Sequence, residues 1–558
     1  MKQRITYLLH DSEAGVDPSR LNVTHDNLTI DRLDAAKEHR LTLGLAELPH
    51  EVVCPSHDQQ ECKKYHADTI QLWLLFKDSH ELRIRWASQK IHTTVSPFLS
   101  RTSPGLHVFF TPRKESTADQ LCPLLKEVFS NNLKCSSLKA PSEQSAQDSF
   151  STPPILSDQF SMSAAYQYYH LLPSLGDLVS YIQQKCCSPD DPRCHLRATS
   201  LLSAVSLDID FDAISHAVTL TAFWDHVDYG ALGSETVSRL GPTDSVEVGV
   251  LGNEKPTEAE ELTLSGFLTV LGEDKKPNPT LFSFPSRHQP LRPPQTFKTS
   301  FDQPTGLHPK LSLTFPRAAL TPPNPSCHLH AYLSLPSALF VDKYQFSDPL
   351  SLSSHHLKAL HALSGATDLE APDWVIPTWG SAALFELAHP TGPSAQPAAR
   401  TAAAAAEAAN WTASIPLHLR YLAPKNASAE HGSGEPGLRD LAVPWPAVFW
   451  ACEADEGLRM AVNPFDRVAL GFDTLFGPKT MFYHLAPSRG VGGGAARLAV
   501  EGILVPVLDL ERAEWVGVGT AASVLVGFLW VCWCLVRGFD LRGLGWRGEA
   551  KIVQKKQE

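Results

Sequence analysis

The stretch Leu207-Asp208-Ile209-Asp210-Phe211-Asp212 alternates apolar and acidic residues, and this pattern decides the predicted fold class. Successive side chains of an extended strand point to opposite faces, so the apolar residues share one face and the aspartates the other. The same period of two recurs at residues 71–76, 82–86, 217–224, 310–315, 327–335, 416–422 and 481–485. The chain also contains 43 prolines, which suit short strands joined by turns. We therefore predict a mainly β protein with antiparallel, sandwich-like domains.

Length and composition limit the domain organisation and the class of partner. The 558 residues carry a formal net charge of -12, which disfavours a nucleic-acid binder. Shifts in composition predict five regions: a mainly β N-terminal region at 1–276 with a helix near 164–187, a proline-rich connection at 277–308, a second β domain at 309–514 with low-complexity insertions at 390–409 and 488–497, an apolar segment at 515–536 and a basic tail at 537–558. The helix is predicted because apolar residues there recur at near-helical spacing.

The apolar segment is long enough to cross a membrane. Residues 516–536 contain no charged residue. A helix of about 21 residues, with a rise of about 1.5 Å per residue, spans roughly 32 Å, which matches the hydrocarbon core of a bilayer. We therefore predict one C-terminal transmembrane α-helix.

The charges that flank this segment predict its orientation. Six basic residues follow it, at positions 537, 542, 547, 551, 555 and 556. Basic residues accumulate on the cytosolic side of membrane helices. The short tail is therefore predicted to be cytosolic, with the N-terminus and the β domains in a lumen.

Other features bear on that topology. Four N-glycosylation sequons, which are modified only in a lumen, begin at Asn22, Asn27, Asn410 and Asn426. Most of the 11 cysteines precede the apolar segment, as suits an oxidising compartment. The first 20 residues, however, lack the apolar core of an ordinary signal peptide. A tail-anchored topology with a cytosolic body therefore stays open as an alternative.

The C-terminal part of the chain carries two short motifs. Lys555 and Lys556 lie fourth and third from the C-terminus, the pattern of a dilysine signal that returns membrane proteins to the endoplasmic reticulum (ER). In the apolar segment, Gly519, Ser523 and Gly527 recur every fourth residue and so share one helix face. Small residues in this pattern let a second membrane helix approach closely, although glycine is also common in membrane helices generally.

Two clusters are candidate metal or catalytic sites. Asp208, Asp210 and Asp212 resemble the metal-binding carboxylates of sugar-nucleotide transferases, but alternating aspartates also describe a solvated strand face. In Cys327-His328-Leu329-His330, alternation places the two histidines together on one face, where strand residues are the favoured interpretation over a metal cluster. We therefore predict no catalytic residues, no metal site and no cofactor.

Several motifs in the second half occur in the order typical of one family. They are CHLH at 327–330, LP at 335–336, VDKY at 341–344, DLEAP at 368–372, PLHLRY at 416–421, VP at 443–444 and FWAC at 449–452, followed by the apolar segment. From about residue 307 to residue 537 the chain resembles the PIG-X family of accessory subunits of glycosylphosphatidylinositol (GPI) mannosyltransferase I. The additional N-terminal region is similar to that of the longer fungal members, which also lack an ordinary signal peptide.

The resemblance implies a non-catalytic role in the ER membrane. Such subunits bind and stabilise the polytopic catalytic subunit that adds the first mannose to the GPI-anchor precursor. Two alternatives remain at this stage: a general lumenal folding factor, or a metal-dependent lumenal glycosyltransferase that uses the three aspartates. Cys327 and Cys452, which both lie in the matching motifs, are the candidate disulfide.

Overall fold

The computed structural model describes residues 1–11, 15–47, 73–136, 149–156, 164–230, 233–239, 241, 243–256, 258, 260–303, 305–317, 320–390, 410–425, 437–454, 463–488 and 497–543. Within these ranges strands predominate, and one long helix lies at the C-terminal end. The predicted mainly β class with a C-terminal apolar helix is thereby confirmed.

The strands of the first half are β1 Lys2–Leu9, β2 Leu21–Val23, β3 Asn27–Asp31, β4 Ala35–Gly44, β5 Ser79–Ala87, β6 Gly105–Pro112, β7 Tyr166–His170, β8 Ser206–Asp212, β9 Ala217–Trp224, β10 Ser234–Ser238, β11 Ser245–Glu254, β12 Glu261–Leu271 and β13 Asn278–Pro285. Those of the second half are β14 His288–Gln289, β15 Thr296–Phe301, β16 Lys310–Pro316, β17 His328–Pro336, β18 Leu339–Phe340, β19 Leu357–Gly365, β20 Gly380–Leu387, β21 Asn410–Pro416, β22 His418–Leu419, β23 Leu438–Pro444, β24 Ala447–Glu453, β25 Thr480–His484, β26 Ala486–Pro487 and β27 Val500–Pro506. The helices are α1 Glu115–Val128, α2 Gly176–Lys185, α3 Pro192–Ser200, α4 Pro349–Ser354 and α5 Ala513–Gly543.

Two large sheets organise these strands. The first has ten strands in the order β13-β12-β11-β1-β4-β9-β8-β5-β6-β7, and the second has six in the order β14-β25-β24-β17-β20-β19. Smaller sheets accompany them, among them β10-β3-β2 and β21-β16-β15-β26. Most neighbours are antiparallel, but β1 with β11, β14 with β25 and β15 with β26 are parallel. The period-two segments at 82–86, 207–212, 217–224, 310–315, 327–335 and 481–485 all contribute to strands.

Two of the predicted strands differ in the structure. Residues 73–77 form a helical turn in place of the strand predicted at 71–76, of which residues 71 and 72 lie outside the described ranges. Within 416–422, only His418–Leu419 forms a further strand after β21 ends at Pro416. A short alternating segment has too few residues to determine its own secondary structure. The residues that flank it and pack against it then decide whether it forms a strand.

The helix predicted at 164–187 is shorter than its periodicity suggested. Tyr166–His170 is strand β7, paired with β6, and helix α2 begins only at Gly176. Three of the five residues of β7 are tyrosines, whose rings pack well on a sheet. Pro173 then lacks the N–H that a continuous helix would need. The prediction was correct only for the C-terminal half of the segment.

The predicted boundary at 277–308 does not separate two hydrophobic cores. This proline-rich segment contains β13, which completes the ten-stranded sheet, and β14 and β15, which join sheets of the second half. Phe110 and Leu207 of the ten-stranded sheet lie in the same core cluster as Phe449 of the six-stranded sheet. Proline marks where strands end, but it does not mark where cores end.

The chain divides into two compact units. The first contains residues 1–421 and 442–503, and it holds the core just described. The second contains residues 422–441 and 504–558. Within the second unit, Lys425 pairs with Asp509, whose side chain accepts a hydrogen bond from the N–H of Glu511 at 3.0 Å. Helix α5 follows directly.

Candidate functional site

Helix α5 presents an apolar surface that the described chain does not cover. The segment Leu510–Arg537, most of which belongs to α5, is long and apolar enough to cross a membrane and is unburied. Apart from the neighbouring residues and backbone of the helix itself, no atom of the described residues lies within 4 Å of the position that a Cβ would take at Gly519 or Gly527. The Ser523 hydroxyl donates to the carbonyl of Gly519 at 2.8 Å, so this face carries no unsatisfied polar group. The predicted packing face is therefore open to a second helix.

Three of the four sequons lie on described strands. Asn22 is exposed on β2, Asn27 is half-buried on β3, and Asn410 is exposed at the start of β21. Asn426 falls outside the described residues, as do Lys555 and Lys556 of the dilysine motif. Exposed asparagines at strand ends are accessible to a glycosylating enzyme.

Cys327 and Cys452 form a disulfide with their Cα atoms 4.1 Å apart. Cys327 precedes β17 and Cys452 lies on β24, where His328 of β17 pairs with Ala451 of β24. Both cysteines are buried. The bond therefore ties two adjacent central strands of the six-stranded sheet.

The three aspartates of β8 do not form a carboxylate cluster free to bind a metal. Arg467 donates to both carboxylate oxygens of Asp208, at 2.6 and 2.7 Å. Arg85 donates to Asp210 at 2.8 Å, and Asp212 accepts hydrogen bonds from the backbone of the following turn. Burial opposes ionisation of Arg85, but the charges of Asp210 and Asp208 outweigh it and raise its pKa. Arginine already neutralises the charge that a metal would need.

The solvated face that alternation indicates for the three aspartates is wrong for one of them. Asp208 is only 3% exposed, so it does not lie on a solvated face. Its pairing with Arg467 is what makes the burial tolerable, since a buried charge requires a partner. The aspartate-based glycosyltransferase alternative loses its structural basis.

Arg420, in the PLHLRY motif, brings several family motifs together. Its guanidinium donates to the carbonyls of Ser337 at 3.1 Å, Asp368 at 2.5 Å and Ala371 at 2.7 Å. The same group lies 4.1 Å from the centroid of the Phe340 ring. Arg420 is 3% exposed, so these contacts satisfy a buried cation. Arg420 thus holds the loop that contains the DLEAP motif close to strand β18 and to the residue that follows β17.

Apolar side chains around this arginine face solvent. We name this set the Arg420 patch, and it consists of Leu369, Trp374, Val375 and Tyr421, which are 49%, 56%, 56% and 68% exposed. The N–H of Asp373 donates to the carbonyl of Tyr421 at 3.0 Å, which holds two parts of the patch together. Exposed aromatic residues on a fixed loop are typical of protein interfaces.

Two cavities in the described part of the chain differ greatly in volume. One, lined by Asp208, Arg467 and Trp445 among others, has a volume of about 60 Å³. Pockets that hold small organic ligands measure roughly 300–1,000 Å³. A larger groove of about 680 Å³ contains Glu254 and Glu261. Each of these carboxylates accepts a hydrogen bond from a serine hydroxyl, from Ser265 and Ser283 respectively.

The fold and the apolar helix define a mainly β protein whose described residues contain one candidate membrane anchor. A family profile described as PIG-X / PBN1 matches residues 304–536. Protein pbn1 of Emericella nidulans is 46% identical over 555 residues, which cover 96% of this chain and 95% of that protein. Protein pbn1 of Aspergillus oryzae is 41% identical over 596 residues and covers 100% of both chains. Protein pbn1 of Aspergillus fumigatus is 43% identical over 559 residues, covering 98% of this chain and 97% of its own. The chain belongs to the PIG-X/PBN1 family.

The sequence patterns did not reveal which residues contact the candidate site residues. Arg467 lies 259 residues from Asp208, and no spacing rule links them. Glu386 and His361, which lie close to His330, were not singled out either. Arg420 lies inside a quoted motif, but its role in holding backbone carbonyls appears only in the folded chain.

Proposed function

We propose that this protein is a non-catalytic accessory subunit of the ER GPI mannosyltransferase I complex. In this role it stabilises the polytopic catalytic subunit that adds the first mannose to the GPI-anchor precursor. The observation that carries the proposal is the family match, which extends over nearly the whole chain in several fungal relatives. The arginine-paired aspartates of β8 support a role in binding over one in catalysis.

The membrane helix supplies one half of the proposed contact. A transferase that uses a lipid-linked sugar would be expected to enclose its donor among several membrane helices, whereas the described residues contain one candidate span. The face of Gly519, Ser523 and Gly527 lets the backbone of a partner helix approach closely. The proposed partner is therefore another membrane protein.

The Arg420 patch supplies the other half of the contact. Trp374 and Tyr421 expose large rings on a loop whose backbone is already fixed, so binding a partner costs little further conformational entropy. Each contact binds only the folded partner, and mass action then lowers the partner's unfolded fraction. In this proposal the β sheets lie in the ER lumen and the tail with Lys555 and Lys556 in the cytosol.

The test changes the side chains on one face of α5 and leaves the rest of the helix unaltered. Gly519→Leu together with Gly527→Leu places bulk on the proposed face, and we expect several-fold lower recovery of the catalytic subunit in detergent and a lower cellular level of it. The matched control is Gly517→Leu together with Ala521→Leu, which lie on the other side of the helix at about 100° per residue. Unchanged recovery and an unchanged enzyme level in the first variant would remove the helix from the proposal.

A second arm tests the Arg420 patch. Trp374→Ser together with Tyr421→Ser should reduce the same recovery while the protein itself remains at its normal level. The proteins recovered also separate the proposal from the alternative of a general folding factor. One polytopic transferase as the main partner supports the dedicated subunit, and many unrelated secretory proteins would contradict it.

A further inference from the structure

Three adjacent strands of the six-stranded sheet bring two histidines and a glutamate together. His330 of β17 pairs directly with Glu386 of β20, and β19 follows on the other side of β20 as the edge strand. His361 of β19 completes the group. The ligand atoms of the three side chains all lie within 4.8 Å of one another. The sequence predicted no metal site here, because the alternation in CHLH favoured ordinary strand residues and the pattern did not reveal His361 and Glu386.

Two β-bulges in the edge strand aim side chains at Glu386. The register of β19 against β20 shifts once between Leu357 and Ala359 and again between Leu360 and Ala362. The extra residues at these shifts are Lys358 and His361. A bulge turns a side chain away from the alternation of a regular strand, and bulges are frequent beside functional sites. Both extra residues reach Glu386, at 2.6 Å for Lys358 Nζ and 2.7 Å for His361 Nε2.

The ring of His330 is oriented as a metal-binding histidine usually is. Its Nδ1–H donates to the carbonyl of His328 at 3.0 Å, which leaves the lone pair of Nε2 available. The rings of Phe449 and Phe476 enclose it, with centroids 5.9 and 5.2 Å away.

Glu386 is the central residue of the group. Its carboxylate accepts hydrogen bonds from His361 Nε2 and Lys358 Nζ. The side chain of Glu386 is only 8% exposed, whereas His361 is 31% exposed at the sheet edge. A carboxylate at the centre and an accessible histidine at the edge give an ion a route of entry.

We propose that His330, His361 and Glu386 form a binding site for a divalent transition metal ion, with Zn²⁺ as the best fit. Two imidazole nitrogens and one carboxylate form a donor set that zinc takes with a water as fourth ligand. Ligand atoms around tetrahedral zinc lie roughly 3.3–3.5 Å apart, given bonds of about 2.0–2.1 Å. The three ligand atoms already lie within 4.8 Å of one another, so only small side-chain movements separate them from that spacing.

Lys358 distinguishes a metal site from a simple ion-pair network. Its ammonium group lies 2.6 Å from the Glu386 Oε1 atom and competes with a metal ion for the same carboxylate. His328 Nδ1 lies 3.1 Å from that oxygen as well. Lys358 is 56% exposed and can turn into solvent when an ion binds. Removing its charge should strengthen metal binding, whereas in a network without metal the same change only removes an ion pair.

The experiment titrates Zn²⁺ into the metal-free full-length protein in detergent and measures bound zinc and the thermal midpoint. His226→Ala serves as the background, because His10, Asp34 and His226 form a second, more exposed group. In that background we expect one bound zinc and a raised thermal midpoint. His361→Ala should weaken the dissociation constant at least tenfold, and Lys358→Met should tighten it.

Controls keep each outcome interpretable. His25→Ala removes a histidine that is 72% exposed in the turn between β2 and β3 and should leave zinc binding unchanged. His361 lies on an edge strand and is partly exposed, so its alanine variant is expected to fold, and its thermal midpoint without zinc verifies this. Equal zinc binding by the background protein and His361→Ala overturns the proposal. So does the absence of zinc binding in both the background protein and Lys358→Met.

Discussion

Arg467 holds Asp208 through two hydrogen bonds, at 2.6 and 2.7 Å, across 259 residues of sequence. Asp208 lies on β8 of the ten-stranded sheet, and Arg467 lies in the segment between β24 and β25 of the six-stranded sheet. A guanidinium that donates two hydrogen bonds to one carboxylate forms a strong contact with a defined geometry. The pair therefore fixes how the two halves of the first unit meet.

Breaking this pair should destabilise the protein. Arg467→Met leaves the carboxylate of Asp208 buried, with only the Arg85 Nε atom remaining at 3.8 Å. Removing one partner of a buried pair costs about 3–5 kcal/mol, and we expect about 3 kcal/mol here because of Arg85. The free energy of unfolding from denaturant titration measures the loss. Adding Asp208→Asn should cost less than the sum of the two single changes, and exact additivity would show that the residues are uncoupled.

The Cys327–Cys452 disulfide should contribute substantially to stability. It closes a loop with a sequence separation of 125 residues. Chain-entropy arguments give about 4–5 kcal/mol for loops of that order, although native bonds often deliver about 2–4 kcal/mol. We expect the double variant Cys327→Ala/Cys452→Ala to lose about 2–4 kcal/mol of its free energy of unfolding, measured by denaturant titration. Cys187→Ala/Cys194→Ala, which opens a loop with a separation of only 7, is the control and should cost less.

Acid should destabilise the fold through His107. This residue is 5% exposed, its Nε2–H donates to the carbonyl of Ser103 at 2.9 Å, and burial lowers its pKa from 6.5 to about 4. Between those values the unfolded chain binds a proton that the folded chain does not, so stability falls as pH falls. At pH 5 the loss from this group is about 2 kcal/mol relative to pH 7.

The variant His107→Gln tests this assignment. Its free energy of unfolding should change less between pH 7 and pH 5 than that of the native protein. His25→Gln changes an exposed histidine in the turn between β2 and β3 and is the control for the loss of a histidine elsewhere in the protein. An identical pH dependence for His107→Gln and the native protein would show that His107 does not take part.

Gly380 occupies a position that no other residue fits. Its φ is +150°, and an added Cβ would lie 2.0 Å from the carbonyl oxygen of Leu335 on the adjacent strand. Gly380→Ala must therefore separate β20 from β17, at a cost of at least about 3 kcal/mol. Gly252→Ala on β11 meets no atom within 4 Å and should be nearly neutral. Thermal midpoints of the two variants check the difference, and equal midpoints would contradict it.

Glycosylation should occur at the exposed sequons. Asn22 and Asn410 are exposed on strands, whereas Asn27 is half-buried. We expect Asn22→Gln and Asn410→Gln each to reduce the endoglycosidase-dependent shift in gel mobility, and Asn27→Gln to reduce it less. A protein from microsomes that shows no endoglycosidase-dependent shift would contradict the lumenal placement of the sheets.

Local patterns were sufficient for most of the strands and for the apolar C-terminal helix. The alternation at 207–212 reports which side chains share a face, because the period of an extended chain is fixed by its geometry. The apolar segment at 516–536 is recognised by length and composition alone, because the thickness of a bilayer fixes the length of helix that can span it. The helix at 164–187 shows the limit, since Pro173 and the pairing of β7 with β6 overrode a helical period.

The sequence by itself determined the β class, the candidate anchor and the family to which the chain belongs, because each depends on residues that are close together along the chain or on motifs in order. The tertiary structure alone decided that Arg467 neutralises Asp208, that Glu386 lies between His330 and His361, and that both halves share one core. These contacts join residues many positions apart. Their formation depends on the free energy of whole sheets packing together, which no local period contains.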